Sequence, residues 1–108
     1  MRQPISITIF FPAYNEQDNL ASAVEDALRV AEESPYIGDY EIVIINDGST
    51  DATQAIAERL AAENERVRVI EHDQNRGYGS ALKTGLEQIP VNLQRSRHGE
   101  DKQRIRRW

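Results

Sequence analysis

The sequence predicts a three-layer α/β fold, in which helices cover both faces of a parallel sheet. Three short apolar runs rich in β-branched residues alternate with three stretches whose apolar residues recur at helical spacing. The connections between them are short, so we expect consecutive strands to run parallel and to be joined by right-handed crossovers. The expected order of elements is βαβαβα.

The first strand is predicted at residues 5–11, which are rich in isoleucine and phenylalanine and end at Pro12. Asn15 is the predicted N-cap of the first helix, because Glu16 and Asp18 would then lie in its first turn. The apolar stripe of this helix consists of Leu20, Val24, Ala27, Leu28 and Ala31.

The second strand is predicted at residues 40–45, which are apolar on both faces near the end, as is typical of a strand covered by helices. Residues 46–51 form a turn and helix-cap cluster. The stripe of the second helix is Ala52, Ala55, Ile56 and Leu60. A third strand at residues 67–70, a loop at residues 74–79 and a helix from Ser80 to about Gln88 complete the pattern.

The composition is that of a globular protein and excludes several kinds of site. The chain has 108 residues, a length typical of one domain, and 39% of them are hydrophobic. It has no cysteine, which excludes a disulfide framework, a thiol nucleophile and a Cys-ligated metal centre. No apolar run approaches the roughly 18 residues of a membrane span, and no signal-peptide cleavage site follows the N-terminus. We therefore expect a cytoplasmic protein.

The net charge of −5 is unevenly distributed along the chain. Residues 1–88 carry a large excess of Asp and Glu, whereas residues 89–108 are rich in Arg. An acidic body argues against nucleic acid as the main partner, because binding to nucleic acid depends largely on neutralising phosphates.

Polar clusters follow the first two predicted strands, at residues 12–16 and 46–49. Ligands of open parallel sheets bind at the carboxyl ends of the strands, and each cluster precedes a helix whose N–H groups face that crevice. A nucleotide suits such a crevice, since its base offers N–H donors and its phosphates suit amides or a metal. Taken singly, the Asp-Gly pair at 47–48 is also an ordinary turn signal, and residues 49–51 are ordinary helix caps.

Weaker signals favour structural explanations. His72 beside Asp73 resembles a metal pair, but without a third ligand nearby we expect a solvated strand end. Gly77 and Gly79 give a weak dinucleotide signal, because Leu82 stands where a third glycine or alanine would be expected. We interpret these glycines as loop residues.

Three motifs together carry a family resemblance: Phe-Pro-Ala-Tyr-Asn-Glu at 11–16, Tyr-Glu-Ile-Val-Ile-Ile-Asn-Asp-Gly-Ser-Thr-Asp at 40–51, and Asn-Arg-Gly-Tyr-Gly-Ser-Ala-Leu at 75–82. In this order and spacing they resemble the N-terminal part of family 2 glycosyltransferases, and within that family they look most like the polyprenyl-phosphate (dolichol-phosphate) sugar synthases. The resemblance implies the A-type nucleotide-sugar-binding fold, with residues 1–88 as a partial nucleotide-binding domain. The implied reaction transfers a sugar from a nucleotide diphosphate to a lipid-phosphate or glycan acceptor.

The resemblance also implies a nucleotide-sugar site formed by Pro12, Ala13, Tyr14, Glu16, Ile45 and Asp47. The first three would line the nucleoside, Glu16 would approach the base or ribose, and Ile45 would pack against the base. Asp47 matches the second acid of the family's Asp-Asp-Gly motif and would accept a base N–H. Asn46 replaces the first acid of that motif, which keeps an acceptor but loses the charge.

In the resembling enzymes an Asp-x-Asp motif after a fourth strand holds Mg²⁺ or Mn²⁺ on the donor diphosphate, and a later acid acts as base. Here the pattern breaks at residues 89–90, and the adjacent pair Glu100 and Asp101 does not match the motif. We therefore expect a domain truncated before the fourth strand, without metal ligands or catalytic residues and with little turnover alone. We expect the basic tail at 89–108 to be disordered. Its composition favours a truncated or frame-shifted reading of a longer gene, and the alternative is a basic peptide that meets anionic lipid or nucleic acid.

Two other functions remain open from the sequence. One is a non-catalytic nucleotide-binding module, and the other is a flavodoxin- or receiver-like signalling domain with Asp47 as phosphoacceptor. The expected partners are a nucleotide diphosphate sugar and, for a full-length protein, an acceptor at the membrane face. The family's strand order, three-two-one-four, would leave the first strand exposed here, so we also expect self-association through it.

Overall fold

The computed structural model describes residues 4–87. Three strands alternate with three helices in the order β1 (Ile5–Ala13), α1 (Leu20–Glu33), β2 (Ile37–Asp47), α2 (Thr53–Glu63), β3 (Val67–His72) and α3 (Tyr78–Glu87). The predicted βαβαβα order is confirmed. The predicted disordered tail at 89–108, with Glu100 and Asp101, lies outside the described residues.

The three strands form one parallel sheet with β2 in the centre. Ile9 of β1 is paired with Ile42 of β2, and Ile44 of β2 is paired with Val69 of β3. Every residue of β2 from Asp39 to Asp47 is buried. Helices cover both faces of the strand, residues 39–46 pair with β1, and residues 42–47 pair with β3. Within residues 4–87, β1 and β3 form the edges of the sheet.

The sheet separates two clusters of apolar side chains, which makes the fold three-layered as predicted. On one face Ile42 and Ile44 pack against α1 and α2, through residues that include Val24 and Leu60. On the other face Val43 and Ile45 pack beneath α3, together with Ala81, Phe10 and Ile70. Among residues 4–87, no helix combines the length and the apolar character needed to cross a membrane.

Several element boundaries differ from the predicted ones. β1 continues through Pro12 to Ala13, because a proline on an edge strand loses only a hydrogen bond that the edge does not need. Likewise β2 includes Asn46 and Asp47, which the sequence placed in a turn. These polar side chains stay in the sheet because they form hydrogen bonds within the protein, as described below.

The predicted helix cap at Asn15 is wrong. Helix α1 begins at Leu20, and the preceding Asn19 makes no side-chain capping bond. Asn15 instead has a positive φ of 53°, a left-handed conformation that asparagine tolerates better than most residues. Its side chain binds a different loop, which local sequence could not show.

Glu41 is a buried carboxyl group within the apolar run of β2. Its side chain lies on the α3 side of the sheet, with one oxygen 3.5 Å from Nε of Arg68. Burial raises the pKa of Glu41 to about 8, although the nearby guanidinium acts in the opposite direction. The sequence pattern did not indicate this ion pair.

Candidate functional site

A cavity of about 370 Å³ opens at the carboxyl ends of the strands. It is lined by Pro12, Ala13, Tyr14, Glu16, Asp47, Asn75, Gly77, Tyr78 and Ala81. Five of the six residues predicted at the site therefore lie together on its wall. The remaining lining residues come from the segment between β3 and α3 and from α3 itself.

Ile45 is the predicted site residue that does not line the cavity. Its side chain is fully buried in the cluster beneath α3, with Val43 and Ala81. The close contact of α3 at Gly85 explains this burial, because a Cβ at position 85 would lie only 3.3 Å from Cδ1 of Ile45. The predicted packing of Ile45 against a base is therefore at odds with the structure, which places Ile45 in the core.

Three loops surround the cavity, and we name them by the strand they follow. The first loop is residues 14–19, the second loop is residues 48–52 and the third loop is residues 73–77. The first two are joined by reciprocal hydrogen bonds: the Asn15 amide donates to Oγ of Ser49 at 2.9 Å, and the Thr50 amide donates to Oδ1 of Asn15 at 2.8 Å. The Glu16 amide also donates to Oγ1 of Thr53 at 2.8 Å. These bonds fix the backbone from which Tyr14 and Glu16 reach the cavity.

Asn46 lies on the opposite face of the sheet from Asp47 and acts within the second loop. Its Nδ2 donates to Oε1 of Gln54 at 2.6 Å, and its Oδ1 accepts from the amide of Ser49 at 3.3 Å. The side chain is 1% exposed. The Asn46 side chain thus builds the second loop and does not line the cavity.

Asp47 joins the end of β2 to the third loop. Its Oδ1 accepts from Nδ1 of His72 at 2.8 Å and from the Arg76 amide at 2.9 Å. Its Oδ2 accepts from the Gly77 amide at 2.8 Å. Burial alone would raise the pKa of Asp47, but the hydrogen bonds from His72 and the two amides outweigh it and lower that pKa below its ordinary value. The group is therefore a carboxylate at neutral pH.

His72 is buried, so the predicted solvated strand end is wrong. Strand β3 extends to His72, and the side chain turns toward α3, where Nε2 lies 2.8 Å from Oγ1 of Thr84. The alternation of β3 contained the signal, because His72 falls on the same face as Ile70. Asp73 does not pair with His72 at all; it is exposed and contacts Arg76 at 3.2 Å.

The second and third loops touch at Gly48. A Cβ at this position would lie 2.4 Å from the backbone N of Asn75, so only glycine permits the contact. Gly48 also has a positive φ of 71°. The sequence marked this residue as a turn but gave no indication of the close approach between the two loops.

A parallel α/β sheet with a cavity at its strand ends, where a buried carboxylate lies among apolar and aromatic residues, is typical of a ligand-binding domain. Comparisons with known proteins identify its family. The model of "Glycosyl transferase family 2" matches residues 8–89. This chain belongs to that family. The prediction from the three sequence motifs is therefore confirmed.

Individual relatives agree with the family assignment. The dolichyl-phosphate beta-glucosyltransferase of Drosophila melanogaster is 34% identical over 88 residues, which cover 76% of this chain and 27% of the relative. The enzyme of the same name from Dictyostelium discoideum is 37% identical over 89 residues, with coverage of 76% and 27%. This chain thus spans about a quarter of the length of these relatives.

A solved structure supports the fold as well. The chain is similar to the mannosyltransferase PcManGT from Pyrobaculum calidifontis, solved in complex with GDP-Man and Mn²⁺. The TM-score is 0.60 at 29% identity, and the match covers 83% of this chain and 26% of the other. The predicted A-type glycosyltransferase fold, as an N-terminal portion, is confirmed.

Proposed function

We propose that this chain binds the nucleoside diphosphate part of a nucleotide sugar in the cavity, as the donor-binding part of a family 2 glycosyltransferase. The observation that carries the proposal is Asp47, a buried carboxylate that forms part of the cavity wall. A base N–H is a suitable partner for it, because a charged acceptor in a partly buried site forms strong hydrogen bonds. We propose a uridine or guanosine diphosphate as the nucleotide.

The rest of the cavity suits the same ligand. Pro12, Ala13 and Ala81 offer apolar surface for a flat base, and Tyr14 and Tyr78 are exposed aromatic residues on the same cavity wall. Glu16 is available for a ribose hydroxyl.

Helix α3 contributes a further element of recognition. It begins at Tyr78 on the cavity wall, so the free N–H groups of its first turn favour a phosphate there. The ribose, the base and the phosphate of the nucleotide would thus contact different parts of one cavity.

For the whole protein we propose sugar transfer to a lipid-phosphate or glycan acceptor at the cytoplasmic face of a membrane. The names of the relatives from Drosophila and Dictyostelium support a lipid-phosphate acceptor. Residues 4–87 contain no side chain that we assign to catalysis, so we propose that this chain alone turns over little substrate. We also retain self-association through β1 as part of the proposal.

A divalent metal does not fit the described part of the chain. The similar mannosyltransferase was solved with Mn²⁺, and metals in this role neutralise a leaving diphosphate. Residues 4–87 bring together no group of three or more His, Cys, Asp or Glu side chains that could hold such an ion. We therefore assign no metal ligand among them and derive no step through a metal.

The test is calorimetric titration of the 108-residue chain with UDP and with GDP. We expect weak binding of at least one of them, and we expect Asp47→Asn to weaken it by roughly ten- to a hundredfold, since a hydrogen bond to a charged group contributes about 1.5–3 kcal/mol. Asparagine is preferred to alanine because it keeps an acceptor for the third loop.

The matched control for Asp47→Asn is Asp73→Asn, which removes an exposed charge from the third loop and should leave affinity unchanged. Thermal unfolding of each variant shows whether the fold is intact. Equal affinity of the wild type and Asp47→Asn would remove Asp47 from the proposed site. Absence of binding to the wild type would overturn the proposed function.

A further inference from the structure

We infer that His72 is a positioning residue for the cavity. It holds the Asp47 carboxylate, and through it the third loop, in the arrangement that accepts the nucleotide. The inference deepens the proposed function and rests on it. His72 does not line the cavity, so its effect on a ligand passes through Asp47.

The hydrogen bonds determine which ring nitrogen of His72 carries the proton. Asp47 is a carboxylate and can only accept, so Nδ1 of His72 must be the donor in their 2.8 Å contact. In the neutral ring Nε2 then has a lone pair, and the Thr84 hydroxyl donates to it at 2.8 Å. Thr84 therefore favours the tautomer that Asp47 needs. One chain of hydrogen bonds links α3, β3 and β2.

Counting acceptor positions shows what this arrangement leaves for a ligand. The two oxygens of a carboxylate offer about four lone-pair positions. Oδ1 of Asp47 receives His72 and the Arg76 amide, and Oδ2 receives the Gly77 amide. About one position remains, on Oδ2, so Asp47 offers a single acceptor to a ligand in the cavity.

Loss of the His72 donor would change both the acceptor that Asp47 offers and the position of the third loop. Oδ1 would regain a free position, and the carboxylate could rotate away from the Arg76 and Gly77 amides. Gly77 lines the cavity, so its displacement would alter the wall as well as the acceptor. Nucleotide affinity should therefore depend on the Nδ1 donor specifically, and much less on the contact with Thr84.

Two substitutions separate the contacts of His72. In His72→Asn the side-chain nitrogen takes the place of Nδ1, which keeps a donor for Asp47 and loses Thr84. In His72→Gln the side-chain nitrogen takes the place of Nε2. It keeps a contact with Thr84, whose hydroxyl must then accept, and it loses the donor to Asp47. Glu71→Gln, at the neighbouring exposed position, is the matched control.

The first measurement is calorimetric titration of these full-length variants with UDP and GDP, beside thermal unfolding of each. For the nucleotide that the wild type binds, we expect His72→Gln to weaken affinity roughly tenfold or more and His72→Asn by less than about threefold. Glu71→Gln should match the wild type. Equal losses in the two His72 variants, or losses that follow their unfolding temperatures, would show a merely structural role and overturn the inference.

The second measurement is the ¹⁵N spectrum of the His72 ring in the wild type without nucleotide. We expect a protonated Nδ1, and we expect Thr84→Val to leave Nδ1 protonated, because the Asp47 carboxylate can only accept. A wild-type ring protonated at Nε2 alone would overturn the inference even if nucleotide binds. If neither UDP nor GDP binds, the proposed function fails and the role of His72 in it fails too, whereas the tautomer still reports the contact with Asp47.

Discussion

Glu41 links the protonation of a single residue to the stability of the fold. Its carboxyl group is buried, and its pKa is raised from an ordinary value of 4.5 to about 8. Between pH 4.5 and about pH 8, the folded state therefore binds more protons than the unfolded chain. Stability should fall as pH rises through this window, because deprotonation leaves a charge in a poorly solvated site beside Arg68.

We expect Glu41→Gln to remove this pH dependence. The free energy of unfolding of the wild type, measured with urea at pH 5, 7 and 9, should decrease relative to that of the variant as pH rises. The difference should reach a few kcal/mol at most, since one pKa unit corresponds to about 1.4 kcal/mol. Glu25→Gln, at an exposed position of α1, is the control and should follow the wild type. A constant difference between wild type and Glu41→Gln would contradict the argument.

The residues of the site were only partly predictable from the sequence. The family motifs predicted that Asp47 and Glu16 lie at the same site, because the spacing of the motifs reflects the whole fold. The partners of Asp47 were not predictable, since two are backbone amides of the third loop and one is His72 on another strand. Ile45 lies on the same face of β2 as Asp47 but two residues before it, where α3 covers the strand, and a motif does not show how far a helix extends over a strand.

At the scale of elements, two glycines in neighbouring loops both have a positive φ, but the space around them differs. Gly48 has a φ of 71°, and a Cβ there would lie 2.4 Å from backbone atoms of the third loop. Gly77 has a φ of 93°, and a Cβ there would meet no atom within 4 Å. The two positions therefore separate backbone strain from steric contact.

We expect Gly77→Ala to destabilise the fold by about 1–2 kcal/mol, the cost of a left-handed conformation for an ordinary residue. Gly48→Ala should cost clearly more, because backbone atoms of Gln74 and Asn75 must also move. Urea unfolding of both variants tests this. Equal losses of stability would mean that the contact between the second and third loops relaxes freely.

Elements were predicted better than their ends. Apolar patterns located all six elements, because each helix buries a stripe in the core and each strand buries at least one face, with β2 buried on both. Their boundaries depend on longer-range bonds that local patterns omit. Asn15 shows this: its sequence context suits a helix cap, but its Oδ1 accepts from Thr50 in another loop, and the helix begins at Leu20.

For the whole molecule, β1 is the element with the clearest consequence for association. Within residues 4–87 it pairs with β2 on one side only, and it includes several partly exposed isoleucine and phenylalanine residues. Edge strands of this kind recruit other chains through their free N–H and C=O groups. Self-association through β1 therefore stays a prediction.

Sedimentation velocity over a range of protein concentrations tests the predicted self-association through β1. We expect the average sedimentation coefficient to rise with concentration, and Ser6→Lys to reduce that rise, because a charged side chain on an edge strand opposes pairing. Ser22→Lys adds the same charge at an exposed position of α1 and should leave the association unchanged. A wild type that stays monomeric throughout would contradict the prediction.

The central position of β2 also determines how the domain moves. Its residues 42–46 pair with β1 on one side and with β3 on the other and are covered by helices on both faces, so their amides exchange with solvent only when the sheet itself unfolds. The loops at its carboxyl end have fewer such restraints and can open locally at a much lower free energy. A ligand that fills the cavity would thus slow amide exchange in the loops while leaving that of β2 close to the global limit.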